Sequence, residues 1–186
     1  MFLVLSLFIE DIVKIRFFGF YLIGKNFWDG LYIVPIVLLA YVFNGFYINF
    51  LAGIQIQKKT QYMPLVSGLG AIVNVLANFL LIPELGMLGA AYATLLAYLS
   101  MAIFQYFLSQ KFYKIHYEWR KIFLIGLSTI LSYGLFYILS DLKILNIYIL
   151  KILSVLLFVI LLELFGLIEI KWLKEFFQFL MKKVEI

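Results

Sequence analysis

Cysteine is absent from the 186 residues and histidine occurs once, as His116. Those two facts exclude a disulfide framework, a thiolate metal site and a histidine-cluster metal site. Charge is scarce as well: Asp, Glu, Lys and Arg make up 13% of the chain, against roughly a quarter in a soluble domain. So few charges do not cover a water-facing surface. The sequence also lacks a Gly-rich phosphate loop, a nucleophile elbow and any carboxylate pair in a suitable context. Glu84, Asp141 and Asp29 stand singly in separate loops. No catalytic residue, cofactor or metal is therefore expected, and the chain does not read as an enzyme.

What is present is apolar. Hydrophobic residues make up 66% of the chain, aromatics 19%, and the mean hydropathy is +1.07. Three uncharged runs, Leu31–Gln57, Gln61–Pro83 and Leu85–Gln110, reach the roughly 20 residues that a membrane helix needs. Ile122–Ser140 forms a fourth, and Ile144–Ile168 a fifth that contains Lys151 and Glu163 near its ends. Both of those side chains are placed to snorkel to an interface. The runs are continuously apolar rather than alternating, which favours helices over a barrel. The expected fold is an all-α polytopic membrane protein with a membrane domain over 1–168. Its spans lie near 31–54, 61–83, 87–109, 121–140 and 145–168, with a partial span near 1–22. A basic amphipathic tail, 169–186, follows and is expected to lie along the inner leaflet. The partial span reads as the second half of a helix. It lacks the leading positive charge and small-residue cleavage site of a signal peptide.

Loop charge sets an expected orientation. Lys58, Lys59, Lys111, Lys114, Arg120, Lys121, Lys171, Lys174, Lys182 and Lys183 fall on one side, and Lys25 and Lys143 on the other. The positive-inside rule puts the first group and the C-terminus in the cytoplasm. The net charge of +5 is then a topology signal, with no nucleic-acid partner implied. Trp28, Trp119 and Trp172 fall near span ends, as an aromatic belt requires. Thr60 is placed to cap the second span.

Polar and small residues inside the spans are the candidate functional positions. Asn74 and Asn78 are one turn apart, and Gly70 continues their face. Two readings fit them: interhelical hydrogen-bond glue, worth about 0.6 kcal/mol each, or the lining of a polar path. Asn44 and Asn49 diverge around their helix, so at most one of them shares a cavity. Pro83 and Gly86 predict a tight turn. Beyond it, Gly86, Ala90 and Thr94, and Gly89, Ala93 and Ala97, recur every four residues. Small residues at that spacing let two membrane helices approach closely. Glu10, Asp11, Lys14 and Arg16 are either intramembrane charges with a role or an interfacial cluster in which Glu10 and Lys14 pair at i,i+4. His116 reads as a solvated loop residue.

The stretch KKTQYMPLVSGLGAIVNVLANFLLIPELGMLGAAYATLLAY, 58–98, resembles the C-terminal part of polysaccharide biosynthesis flippases. These are the O-antigen and capsule-type members of the multidrug/oligosaccharidyl-lipid/polysaccharide exporter superfamily. The resemblance rests on Lys58-Lys59-Thr60, Asn74, Asn78, Leu81-Ile82-Pro83, Gly86, Gly89-Ala90-Ala91 and Ala93-Thr94. FFGFYLIGKNFWDGLYIVPIVLLAYVFNGFY upstream and SQKFYKIHYEW downstream are also similar. The likeness covers 1–125, and the last two spans only by hydropathy and position. It implies part of a two-lobed bundle that passes an undecaprenyl-diphosphate-linked glycan across a bacterial or archaeal inner membrane by alternating access, driven by an ion gradient. Implied partners are the lipid-linked oligosaccharide, membrane lipids and an N-terminal lobe supplied in cis or in trans. Lys14 and Arg16 are the nearest cationic candidates for the diphosphate, with Asn44, Asn74 and Asn78 as path candidates. Such flippases have a dozen or more spans, and by order these correspond to the last six. The chain is thus expected to be a C-terminal portion, the alternative being a non-transporting remnant or assembly partner.

Overall fold

The computed structural model describes residues 1–17, 20–21, 23–142 and 146–168, without the side chains of Phe17 and Phe20. Lys143 and the expected amphipathic tail lie outside the described residues. The protein is an all-α, multi-pass membrane protein. Its elements are α1 (Phe2–Val13), a two-residue strand pair β1 (Arg16–Phe17) and β2 (Phe20–Tyr21), a 3-10 helix (Lys25–Ile33), α2 (Val34–Phe50), α3 (Ala52–Ile56), a 3-10 turn (Thr60–Tyr62), α4 (Met63–Leu85), α5 (Met87–Phe112), α6 (Trp119–Asp141) and α7 (Ile147–Leu164). Five continuous helical stretches are long and apolar enough to cross a bilayer: Lys25–Ile56, Thr60–Leu85, Met87–Phe112, Trp119–Asp141 and Ile147–Leu164. The shortest, at 18 residues, extends about 27 Å at 1.5 Å per residue. The 12 residues of α1 span only about 18 Å.

Two compact units form, Met1–His116 and Tyr117–Ile186. In the first, α5 packs against both α2 and α4, and α1 lies on α2. Leu3, Leu7 and Val13 of α1 are buried, as are Ala40, Phe50 and Ile54 of α2 and α3. In the second unit α6 packs on α7. The outer faces are apolar. On α4, Ile72, Val75, Leu76, Phe79 and Leu80 are each about 60–80% exposed. That row is intolerable in water at such size and suits hydrocarbon.

Several local expectations are corrected. The first span starts as a 3-10 helix at Lys25 and becomes α-helical at Val34, because Pro35 fits a first helical turn, where its missing N–H costs nothing. It breaks again at Leu51. There Ile54 and Gln55 both donate to the Leu51 carbonyl, at 3.1 and 3.0 Å, which tightens the chain locally. Thr60 caps nothing by its side chain; it opens the 3-10 turn, and α4 begins at Met63. Pro83 does not end α4, which runs on to Leu85. A proline in the last turn removes one hydrogen bond and leaves the rest of the helix intact. Gly86 alone makes the turn, at φ 55° and ψ −127°, a region essentially closed to residues with a Cβ. Its N–H reaches the Ile82 carbonyl at 2.9 Å. Lys151 does not snorkel out; it is 6% exposed.

α3 and α7 end alike. Lys59 N–H donates to Ile54 and Lys58 N–H to Gln55, at 2.9 and 3.0 Å. Leu167 N–H donates to Leu162 and Gly166 N–H to Glu163, at 2.9 and 2.8 Å. Both sets form a Schellman cap. Its left-handed position holds Gly166 in one case and Lys58, at φ 53°, in the other.

Within the hairpin of α4 and α5 the close approaches fall at Gly89 and Gly70, while the space around Gly86 is open. A Cβ on Gly89 would collide with the backbone of Leu81, whereas one on Gly70 would meet only the side chain of Met101. Gly86→Ala is expected to destabilise the fold by about 1–3 kcal/mol, and Gly89→Ala by more than Gly70→Ala, since Met101 can swing aside and Leu81 cannot. Gly68→Ala, in α4 with open space around it, should be neutral or slightly stabilising. Unfolding of the four variants in detergent checks this order; equal stability of Gly86→Ala and Gly68→Ala would refute the strained turn.

Candidate functional site

At the end of α1 the chain gathers cations and aromatic rings. Lys14, the C-cap of α1, lies 3.2 Å from Glu10 and 5.7 Å from the Trp28 ring centre. Arg16 is paired across the strands with Tyr21, which places the two side chains on one face. Its guanidinium donates to the Tyr21 Oη at 2.6 Å and sits 4.8 Å from the ring centre. Lys25 reaches the same ring at 5.3 Å. Trp28 stands edge-on to Tyr21, centroids 5.0 Å apart, and donates its Nε1–H to the Ile23 carbonyl at 3.1 Å. Lys14, Arg16 and Lys25 are exposed, and the two rings are half-buried. Tyr21 lies outside the five spans. The hydrogen bond from Arg16, helped by the positive charges of Arg16 and Lys25, holds its phenol below the ordinary tyrosine value.

Asn74 and Asn78 sit mid-way along α4, both half-buried. Asn78 Nδ2 donates to Asn74 Oδ1 at 2.9 Å. One bond leaves the Asn74 amide N–H groups and the Asn78 carbonyl with capacity to spare. Asn44 is half-buried on α2, and no side-chain hydrogen bond joins it to the α4 pair among the described residues. Asn49 is exposed and donates to its own helix, to Gly45 O at 2.8 Å. The structure thus brings together Lys14 with Arg16, and Asn74 with Asn78; it does not join Asn44 to either group.

On α5, Gly89, Ala93 and Ala97 are buried, while Ala90 and Thr94 are half-buried and Gly86 is exposed at the turn. Thr94 donates to Ala90 O at 3.0 Å. The buried row continues at the same spacing through Met101, Gln105 and Ser109. Gln105 is fully buried and donates to the Phe50 carbonyl at 3.3 Å, beside the break between α2 and α3. Its Oε1 and the Ser109 Oγ, packed against Gly53, have no hydrogen-bond partner. Sequence reasoning missed both, although the spacing of four, carried two steps beyond Ala97 to Gln105 and three to Ser109, points to them. It missed a polar seam in the second unit too. Ser128 and Ser132 on α6 and Lys151 and Ser154 on α7 are buried, and Ser154 donates to the Ser132 carbonyl at 2.5 Å. Lys151 lies 5.7 Å from the Tyr148 ring.

Among the described residues no group of three or more His, Cys, Asp and Glu is placed to hold a metal ion. Set against models of known families, curated proteins and solved structures, the chain matches none.

The corner at Tyr21 is open to titration. Tyr21 is expected to ionise below the usual value of about 10, and Arg16→Gln to move it upward, because the cation that favours the phenolate is gone. The ultraviolet difference between each protein and its Tyr21→Phe partner reads that one phenol. An identical Tyr21 titration with and without Arg16 would refute the coupling.

Proposed function

We propose that this protein is the C-terminal portion of a transporter that moves a lipid-linked oligosaccharide, an undecaprenyl-diphosphate-linked glycan, across the cell's inner membrane for surface polysaccharide synthesis. The reading rests on the resemblance carried by 58–98, and one structural observation supports it. The amide pair Asn74–Asn78 lies at mid-depth in a spanning helix with hydrogen-bonding capacity left over. In hydrocarbon, amide groups need a polar partner, and the hydroxyls of a passing glycan offer the matching donors and acceptors. A complete pathway requires further helices, in cis or in trans, with Lys58, Lys111 and the C-terminus on the cytoplasmic side.

Deletion of the gene in its native host tests this directly. Surface glycan should fall and the lipid-linked precursor should accumulate on the inner leaflet. Unchanged surface glycan would refute transport and leave a non-transporting membrane component. Within the intact transporter, Asn74→Leu and Asn78→Leu are each expected to abolish export while the membrane level stays normal. A packing role would instead lower the membrane level, and normal export in both variants would refute a path through this pair.

A further inference from the structure

We propose that the corner formed by Arg16, Tyr21, Lys25 and Trp28 binds the phosphodiester headgroup of an anionic membrane lipid. The argument starts from charge. Two cations are drawn onto one ring, at 4.8 and 5.3 Å from its centre. Among the described residues no carboxylate comes within ion-pair distance of either, although Lys14 beside them is neutralised by Glu10 at 3.2 Å. Asp29, one turn beyond Lys25 and exposed, makes no ion pair with it. The two cations thus lie within about 10 Å of each other beside the Tyr21 ring; like charges at that range still repel, and an anion that both reach offsets the repulsion.

Donor geometry points the same way. Arg16 uses one N–H on the Tyr21 hydroxyl, which fixes the guanidinium and leaves its remaining N–H groups directed elsewhere. Lys25 has a full ammonium to offer. The Trp28 indole is anchored to Ile23 O and stands edge-on to Tyr21, so the wall of the corner is set before an anion arrives. A guanidinium and an ammonium together match a phosphate that presents several oxygens.

Position selects the lipid over a free anion. Lys25 opens the first spanning stretch, Lys25–Ile56, which is longer than the roughly 30 Å hydrocarbon core, so the corner falls at the headgroup end of that stretch and not within the core. Close by along the chain, Ile23, Phe27 and Tyr32 are 39%, 72% and 53% exposed. An apolar surface next to exposed cations has the two-part chemistry of a lipid, acyl chain beside phosphate. The site does not depend on the transport reading, because a resident lipid binds whether or not a glycan is moved.

The test uses the full chain purified in neutral detergent, with native mass spectrometry and thermal unfolding as readouts. Phosphatidylglycerol, phosphatidylcholine and inorganic phosphate are the probes. Phosphatidylglycerol is expected to bind and raise the melting temperature, and the other two are not. Arg16→Gln combined with Lys25→Gln should weaken phosphatidylglycerol by about tenfold or more, as loss of two charge-assisted contacts implies. Lys58→Gln with Lys59→Gln, which removes the same charge elsewhere, should not. Arg16→Lys should restore part of the binding. Undiminished binding by the first double variant overturns the site, and so does an equal loss in the second. Competition by inorganic phosphate at matching concentration would reduce it to an anion site without lipid. Should the double variant fail to fold, an absence of preference for phosphatidylglycerol over phosphatidylcholine in the unaltered protein overturns it instead.

Discussion

Hydrocarbon gives a backbone amide nothing to bond to, so each N–H and C=O at membrane depth must find its partner within the protein. The five long helices answer that demand along most of their length, and the interruptions answer it too. At Leu51, where the first span tightens, two successive N–H groups return to one carbonyl, and Gln105 brings a side-chain donor from α5 to Phe50. Pro83, which has no N–H, sits in the last turn of α4. Gly86 turns the chain in a single residue and still donates to Ile82. The Schellman caps at Lys58 and Gly166 satisfy the ends of α3 and α7 by the same means.

Close approach is the second consequence. Apolar side chains gain nothing from leaving lipid for one another, so helices here are held by contact and by polar pairs. α5 meets both constraints along one row. Its small residues Gly89, Ala93 and Ala97 admit the neighbouring backbone at one end. Towards the other, the same row presents Gln105 and Ser109, which lie beside Phe50 and Gly53. A row of period four drifts around the helix axis, which is how a single stripe serves α4 at its start and α2 and α3 at its close.

The spans were legible because length and continuous apolarity are properties of the chain itself. The close packing at Gly89 was legible for the same reason: small residues at i,i+4 declare it. What stayed hidden depends on surroundings. Pro83 looked like a helix breaker, but its effect depends on how near the helix end it falls. Lys151 looked free to snorkel, yet burial is set by what packs around it, which no hydropathy plot contains. Lys58 in a left-handed cap runs against the usual preference for glycine there. The joining of Arg16 to Tyr21 requires a strand pair of two residues, too short to leave a pattern. Gln105 and Ser109 were hidden differently, because isolated polar residues in an apolar run carry no signal until the row they share is followed.

The polar groups within the helices fall into two kinds, and the difference bears on where function can reside. Ser67, Thr94, Ser100, Thr129 and Ser140 donate to carbonyls three or four residues back on their own helices. A hydroxyl bonded in that way is satisfied locally and asks nothing of its surroundings. Asn74 and Asn78, Gln105, Ser109 and Ser132 are different, since each keeps capacity that its own helix does not use. Three of these, Gln105 and Ser109 in the first unit and Ser132 in the second, are buried and packed, so their open valences serve the interior of their own units. Asn74 and Asn78 are only half covered and lie midway along their span. Asn44 on α2 is likewise half covered and within its span, but Asn74 and Asn78 put two such amides on one helix face, which is why the transport reading attaches to α4 rather than to the more deeply buried polar residues of α5.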